Sequence, residues 1–132
     1  MNDSMEKNKV IARFKDGTLI KGYTDDFFPN KKYFHLQLLN GETVDIEIEL
    51  LKALFFVKDF EGDKKRTESY TDAVPGGGLK VQIKFKDGES VIGYSQGFSP
   101  NRPGFFVIPA NTQSNNKRFF VVVSATEKVK FL

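Results

Sequence analysis

The string Phe-Lys-Asp-Gly occurs twice in this chain, at residues 14–17 and 85–88. Each copy is followed by Gly-Tyr and then by Phe-x-Pro-Asn. A shift of 71 positions aligns residues 10–36 with residues 81–107, and 11 of the 27 aligned positions are identical. Average residue usage predicts only about one or two identities. The sequence therefore predicts that one structural unit is used twice.

Each copy has the pattern of several short strands. Val10, Ala12 and Phe14 recur at every second position, which is typical of a half-buried strand rather than a helix. Asn40-Gly41 is typical of a two-residue hairpin turn, and Gly22 inside a strand indicates a bulge or a bend. The strands predicted in the first copy are residues 10–14, 18–27, 33–39, 43–48 and 54–58, with a short turn at 49–53.

Five strands, with a bend in the second and a tight turn before the fifth, are the plan of SH3-like and Sm-like small barrels. We therefore predict an all-β fold of two tandem five-stranded SH3-like or Sm-like barrels related by internal duplication. Residues 1–58 form the first barrel and residues 80–132 form the second. Residues 59–79 are polar and end near Val-Pro-Gly-Gly-Gly, a composition that is typical of a linker.

Several strings of this chain resemble those of a known protein family. They are the repeated FKDG, GY and FxPN, together with Pro-Asn-Arg-Pro-Gly-Phe-Phe at 100–106, Ser-Asn-Asn at 114–116 and Val-Lys-Phe-Leu at 129–132. The chain resembles a family of uncharacterised bacterial proteins across nearly its whole length. The resemblance implies tandem small barrels, sometimes found near PilZ-type regulatory domains. It implies no activity and no site residues.

Composition excludes several classes of function. Cysteine is absent, which excludes thiol catalysis, disulfides and Cys-type zinc sites. The single histidine excludes a His-rich metal site. No apolar run reaches the roughly 18 residues of a membrane span, and the first eight residues lack the apolar core of a signal peptide. We expect a cytoplasmic protein that has no catalytic residues, no cofactor and no contact with a membrane.

The second copy carries more apolar residues than the first. Its third and fourth strands place apolar side chains where the first copy has His35, Gln37, Asp45 and Glu47. Both faces of those strands are therefore apolar, and something must cover them. We predict an interface between the two copies, or between two chains in a homodimer, formed by Phe106, Ile108, Phe120, Val122, Phe55 and Val57.

Charge is also unequal between the copies. Residues 80–132 hold 8 Lys or Arg and 3 Asp or Glu, whereas residues 1–58 hold 9 of each. A basic unit with several aromatic residues suits a single-stranded nucleic acid, although a solvated face explains the same charges. The residues placed to contact an anion or another ligand are Asn101, Arg102, Lys117 and Arg118.

The repeated strings themselves favour architecture. Asp-Gly between two apolar runs predicts a hairpin turn, and the FxPN strings at 27–30 and 98–101 predict loops closed by proline and asparagine. We predict a non-enzymatic binding module, most simply one for an unknown protein partner. The alternative is binding of single-stranded RNA through the basic second copy.

Overall fold

The computed structural model describes residues 7–60, 78–98, 101–110 and 114–132. Within these residues the chain forms ten β-strands and two single-turn 3-10 helices. The elements of the first half are β1 (Asn8–Phe14), β2 (Leu19–Thr24), β3 (Tyr33–Leu38), β4 (Thr43–Glu47), a 3-10 turn (Ile48–Leu50) and β5 (Leu51–Val57). Those of the second half are β6 (Leu79–Phe85), β7 (Ser90–Gln96), β8 (Gly104–Pro109), β9 (Asn116–Val122), a 3-10 turn (Val123–Ala125) and β10 (Thr126–Phe131).

All ten strands pair in one open antiparallel sheet, in the order β10-β6-β7-β8-β9-β5-β1-β2-β3-β4. The predicted all-β class is confirmed. In each half the last strand pairs with the first, and the halves meet where β5 pairs with β9. The strands β4 and β10 are the two edges of the sheet. The division into two duplicated barrels goes beyond these pairings and stays a prediction, as do the domain boundaries. Residues 61–77 of the predicted linker lie outside the described residues.

The FKDG strings form hairpin turns of the same geometry. Gly17 has a φ of 93° and Gly88 a φ of 96°, which glycine adopts without steric cost. The Asp16 carboxylate accepts a hydrogen bond from the Thr18 N–H at 2.9 Å, and the Asp87 carboxylate accepts one from the Glu89 N–H at 3.0 Å. The hairpin turns predicted for both strings are confirmed.

Two local expectations differ from the structure. Strand β5 begins at Leu51 rather than Leu54, because a single 3-10 turn is enough to reverse the chain and Leu51 already pairs with Phe14. The β1–β2 pairing has no bulge at Gly22, since its register runs through this residue without a shift, and a bend there stays a prediction. A Cβ at Gly22 would lie 2.4 Å from the Gln37 carbonyl oxygen, so this glycine allows β2 to approach β3 closely.

The buried apolar residues form two clusters, and the strand β9 contributes to both. Successive side chains of a strand point to opposite faces, so alternate β9 residues reach different clusters. The first cluster contains Val10, Ala12, Phe34, Leu36, Ile46, Ile48, Leu51, Leu54, Phe56, Phe120 and Val122. The second contains Val81, Ile83, Phe85, Phe105, Val107, Phe119, Val121 and Ala125.

The helical segments of the described residues are single turns, and none is long and apolar enough to cross a membrane.

Candidate functional site: the junction of the halves and the β10 edge

The junction between the halves is an antiparallel strand pair with apolar side chains on both faces. Leu54 of β5 lies opposite Phe120 of β9, and Phe55 lies opposite Phe119. The rings of Phe55 and Phe119 are stacked, with centroids 5.3 Å apart and an angle of 29° between the ring planes. Because both faces of the pair are apolar, the second half closes the core of the first and Phe55 packs against the core of the second.

Five aromatic rings meet beside the junction, and we call them the junction cluster. The cluster consists of Phe27, Phe34, Phe56, Phe106 and Phe120. The Phe27 ring lies 5.1 Å from Phe120 and 5.2 Å from Phe34 between centroids, in edge-to-face arrangements. Such arrangements are favoured by the ring quadrupoles beyond the area that the rings bury. Two rings from the second half therefore complete a set that begins with three rings of the first.

Gly104 makes room for this cluster. A Cβ at Gly104 would lie 2.3 Å from the Phe120 ring and 2.5 Å from the Val121 carbonyl oxygen. Such distances are far below van der Waals contact, so a larger residue would displace the ring or the strand. The glycine is needed here for close approach rather than for an unusual φ.

Arg118 covers the outer side of the junction cluster. Its guanidinium carbon lies 4.6 Å from the centroid of the Phe56 ring and 4.3 Å from that of Phe106. These are cation–π contacts, for which arginine is better suited than lysine. Burial lowers the pKa of the Arg118 guanidinium, but an arginine stays charged at neutral pH. The ring faces hold this predicted anion contact in place.

The other predicted ligand contacts are exposed, as Arg118 is. Asn101, Arg102 and Lys117 lie at the surface. Arg102 lines an apolar cleft that also involves Pro29 and Asn30 of the first FxPN string, and Lys117 lies on β9 beside Arg118. Residues 99 and 100 of the second FxPN string lie outside the described residues. Phe106 lies near both predicted cations. It lines the same cleft as Arg102, and the Arg118 guanidinium lies over its ring. The cleft is lined by Pro29, Asn30, Gly97, Arg102, Pro103, Gly104, Phe105, Phe106 and Phe120.

Four of the six predicted interface residues lie in or against the two clusters. Phe120 and Val122 belong to the first cluster, and Phe106 packs against it. Phe55 packs against the second cluster, and Val57 is buried at the end of β5. Ile108 is half-buried and lies opposite Tyr94 of β7.

A polar network also links the halves, and sequence reasoning missed it. The Lys52 side chain is buried, with its ammonium 2.7 Å from an Asp87 carboxylate oxygen and in contact with Glu89. The same ammonium lies 4.6 Å from the centroid of the Phe85 ring. The hydrogen bond from Lys52, followed by that from the Glu89 N–H, lowers the pKa of Asp87. A single lysine at a strand start carries no sequence pattern that predicts such burial.

His35 takes part in a second polar group, at the surface of the first half. Its Nδ1 lies 2.6 Å from an Asp26 carboxylate oxygen, and its Nε2 lies 3.3 Å from an Asp45 oxygen. The hydrogen bond to Asp26 raises the pKa of His35. Burial alone would raise the pKa of Asp26, but the hydrogen bonds from His35 and Thr24 outweigh it and the pKa is lowered. Within the described residues no group of three or more His, Cys, Asp or Glu side chains could hold a metal ion.

The strand β10 presents a different surface. Three rings, those of Phe98, Phe105 and Phe131, lie together, with centroid distances of 4.9 Å for Phe98–Phe105 and 5.7 Å for Phe98–Phe131. This three-ring set repeats the arrangement of Phe27 with Phe34 and Phe56. Phe131, however, is 47% exposed.

The backbone of β10 also faces outward. The Leu132 N–H donates to the Lys80 carbonyl at 3.0 Å, so Leu132 and Lys80 are a hydrogen-bonded pair of the β10–β6 ladder. Pairs alternate in an antiparallel ladder, and therefore the N–H and C=O groups of Val129 and Phe131 point away from β6. An edge strand with such groups can accept another strand.

The edge strand β4 is matched to β10 in backbone but not in side chains. The Leu38 N–H donates to the Glu42 carbonyl and the Ile48 N–H donates to the Lys32 carbonyl. The same alternation therefore turns the backbone groups of Thr43, Asp45 and Glu47 away from β3. The residues with outward backbone groups are Thr43, Asp45 and Glu47 on β4, whereas they are the apolar Val129 and Phe131 on β10.

No curated protein and no solved structure matches the chain. A family of unknown function matches it over residues 6–132, nearly the whole sequence. This agrees with the expected family without an assigned activity, whereas the neighbourhood of PilZ-type domains stays a prediction. The chain therefore belongs to the family of unknown function DUF6982.

Proposed function

We propose that this protein is a non-enzymatic protein-interaction module that binds an extended segment of a partner as an added strand at β10. The observation that carries the proposal is the edge of β10, where outward backbone groups of Val129 and Phe131 lie beside the exposed Phe131 ring. Main-chain hydrogen bonds to an open edge supply affinity, and the neighbouring side chains supply selectivity.

We further propose that the module consists of two duplicated small barrels of the SH3-like or Sm-like type. Support comes from the same pairing order in both halves, from matching hairpin turns, and from two sets of three rings in the same arrangement. In one chain Phe120 already packs on the first half, which favours a monomer with docked halves over a homodimer. The complete absence of cysteine in the sequence favours a cytoplasmic location.

The edge strand β4 is the weaker candidate for strand addition. Asp45 and Glu47 carry charge along it, and Asp45 is engaged by His35. Charged side chains discourage pairing at both edges. The residues of β10 whose backbone groups point outward are the apolar Val129 and Phe131, whereas those of β4 include the acidic Asp45 and Glu47. The two edges therefore provide a matched pair for an experiment.

RNA binding through the second half is the second candidate. It is supported by Lys84, Lys128 and Lys130, which line a shallow cleft on the outer face of β6 and β10. Base stacking needs accessible rings beside the cations, whereas the exposed Phe131 ring lies on the opposite face of β10 from Lys128 and Lys130. This contrast favours the protein partner. Short RNA that binds the chain with an affinity that falls steeply as salt rises would favour the RNA candidate instead.

A selection from displayed random peptides tests the proposed function. Selected peptides are measured again on Val129→Pro, which removes an outward N–H of β10, and on Asp45→Pro, which removes one from β4. Proline at such positions leaves the inner ladder intact. We expect binding to be lost in Val129→Pro and kept in Asp45→Pro and in Val129→Ala, all three with wild-type circular dichroism. Failure to enrich any peptide, or equal binding to all variants, would overturn the proposal.

A further inference from the structure

The chain contains its own example of a strand bound beside a three-ring set. On one face of the β5–β9 pair, Phe120 lies opposite Leu54 and Arg118 lies opposite Phe56. The Phe120 ring contacts Phe27, and the Arg118 guanidinium lies over Phe56. The strand β9 thus shows which side chains complete such a set.

Strand β10 stands in its half where β5 stands in the first. Leu54 and Phe56 lie opposite Ala12 and Val10 of β1. In the second half Val129 and Phe131 lie opposite Ile83 and Val81 of β6. A strand added at β10 would therefore meet Val129 and Phe131 as β9 meets Leu54 and Phe56.

The ring set beside β10 is open where its counterpart is closed. Phe56 is 4% exposed because Phe27, Phe106 and Arg118 lie against it. Phe131 is 47% exposed, with Phe98 against one side. An added ring would bury apolar surface that Phe131 leaves in water.

The other face of β10 is basic rather than apolar. Ala53 and Phe55 are buried or half-buried on β5, whereas Lys128 and Lys130 on β10 are exposed. Lys84 lies opposite Lys128 on β6 and adds to the positive charge, although it also pairs with Glu127 at 3.3 Å. Acidic side chains directly across from Lys128 and Lys130 would be favourable cross-strand partners.

We infer that the segment bound at β10 alternates acidic residues with an aromatic residue that completes the Phe98, Phe105 and Phe131 ring set. This inference rests on the proposed function. In the antiparallel direction used by β9, the segment reads Arg-Glu-Phe-Glu, with Phe opposite Val129 and Arg opposite Phe131. The two acidic residues lie opposite Lys130 and Lys128.

A second copy of the chain fits this surface poorly. If β4 took the place of β9, Asp45 would lie opposite Val129, since Asp45 pairs with His35 as Phe120 pairs with Phe106. Val44 and Ile46 would then face Lys130 and Lys128. A carboxylate on the apolar face and aliphatic residues on the basic face oppose this pairing, so a peptide of another protein is the better occupant.

The test uses three capped peptides of about eight residues, long enough to form a strand. Their cores are Arg-Glu-Phe-Glu, Arg-Glu-Ala-Glu and Arg-Lys-Phe-Lys. Binding is measured by calorimetry on the wild type, on Phe131→Ala and on the double variant Lys128→Glu with Lys130→Glu. We expect the first peptide to bind the wild type at least about tenfold more tightly than the other two, as loss of an anchor ring or of charge pairing commonly costs.

The charge swap gives the sharpest result. The double variant should bind Arg-Lys-Phe-Lys more tightly than Arg-Glu-Phe-Glu, and Phe131→Ala should reduce the advantage of the ring. Equal binding of the three peptides to the wild type, or no binding of the first, would overturn the inferred pattern. If selected peptides of another pattern still bind at β10, the inferred pattern is wrong and the proposed function remains. If no selected peptide loses binding in Val129→Pro, both the inferred pattern and the proposed function are wrong.

Discussion

Phe56 and Phe131 lie at matching places in the two halves of the sheet, opposite Val10 and Val81, yet Phe56 is 4% exposed and Phe131 is 47% exposed. The difference arises because β9 pairs with β5, whereas β10 ends the sheet. One half is thus completed by the other, and the second half keeps an open edge. This asymmetry is the basis of the proposed function and of the predictions below.

Replacing the Phe120 ring and replacing the Phe131 ring by alanine should have unequal effects on stability. Phe120→Ala removes a fully buried ring from the junction cluster and should lower the free energy of unfolding by about 3–5 kcal/mol. Phe131→Ala removes a half-exposed ring and should cost less than about 1.5 kcal/mol. Urea denaturation followed by circular dichroism measures both, and a similar cost for the two variants would contradict the packing described here.

Gly104→Ala should destabilise the protein through a clash rather than through backbone strain. The added methyl would meet the Phe120 ring, and overpacking of this kind costs about 1–3 kcal/mol. In a Phe120→Ala background the cost should become smaller. Gly88→Ala is the control, because its cost of about 1–2 kcal/mol comes from a φ of 96° in open space and should not depend on Phe120. Denaturation of the single and double variants measures the coupling energy between positions 104 and 120. If the costs of Gly104→Ala and Phe120→Ala simply add, the proposed clash is refuted.

The His35 ring should titrate above its usual pKa of 6.5. Asp26 stabilises the protonated ring, so the pair stabilises the fold fully below pH 6.5 and loses this contribution as pH rises through the raised pKa. Asp26 contributes in the opposite range, and its part is lost as pH falls through its lowered pKa. An NMR titration should show the His35 pKa fall towards 6.5 in Asp26→Asn. An unchanged midpoint would mean that Asp26 does not hold the ring.

Loss of the carboxylates around Lys52 should be destabilising, and loss of the lysine charge should repair it. Asp87→Asn with Glu89→Gln leaves a buried ammonium without its counter-charges. Because both carboxylates are partly exposed and water can replace them, we expect a cost of about 1–3 kcal/mol. Adding Lys52→Met should recover most of it in the same denaturation experiment. If Lys52→Met deepens the loss instead, the ammonium is not the source of the cost.

The sequence predicts the strands well and their assembly only in part. Alternating apolar residues such as Val10 and Ala12, and the Asp-Gly turns, are local signals, and the structure has strands and hairpins at those places. The pairing of β5 with β9 joins residues such as Leu54 and Phe120 that are far apart in the chain. No local pattern encodes a register between distant strands, so the single open sheet could not be read from the sequence.

The surface at β10 likewise depends partly on local sequence and partly on the assembly of the strands. Phe131 corresponds to Phe56 in the repeat once the four extra residues that the second copy carries between 110 and 118 are counted, so the sequence identifies an apolar position in both halves. Its exposure depends on which edge another strand covers, and that is a property of the assembly. The burial of Lys52 is similar, since its partners Asp87 and Glu89 come from a distant turn.

Amide hydrogen exchange at β10, measured by NMR with and without the Arg-Glu-Phe-Glu peptide, tests the account most directly. Within the part of the chain that the structure describes, no strand pairs with the outward N–H groups of Val129 and Phe131, and an added strand would bond to them. We predict that exchange of these two amides slows at least about tenfold at saturating peptide, while that of Asp45 on the β4 edge stays unchanged. Slowing at Asp45 or in the FxPN loops, with Val129 and Phe131 unaffected, would contradict it.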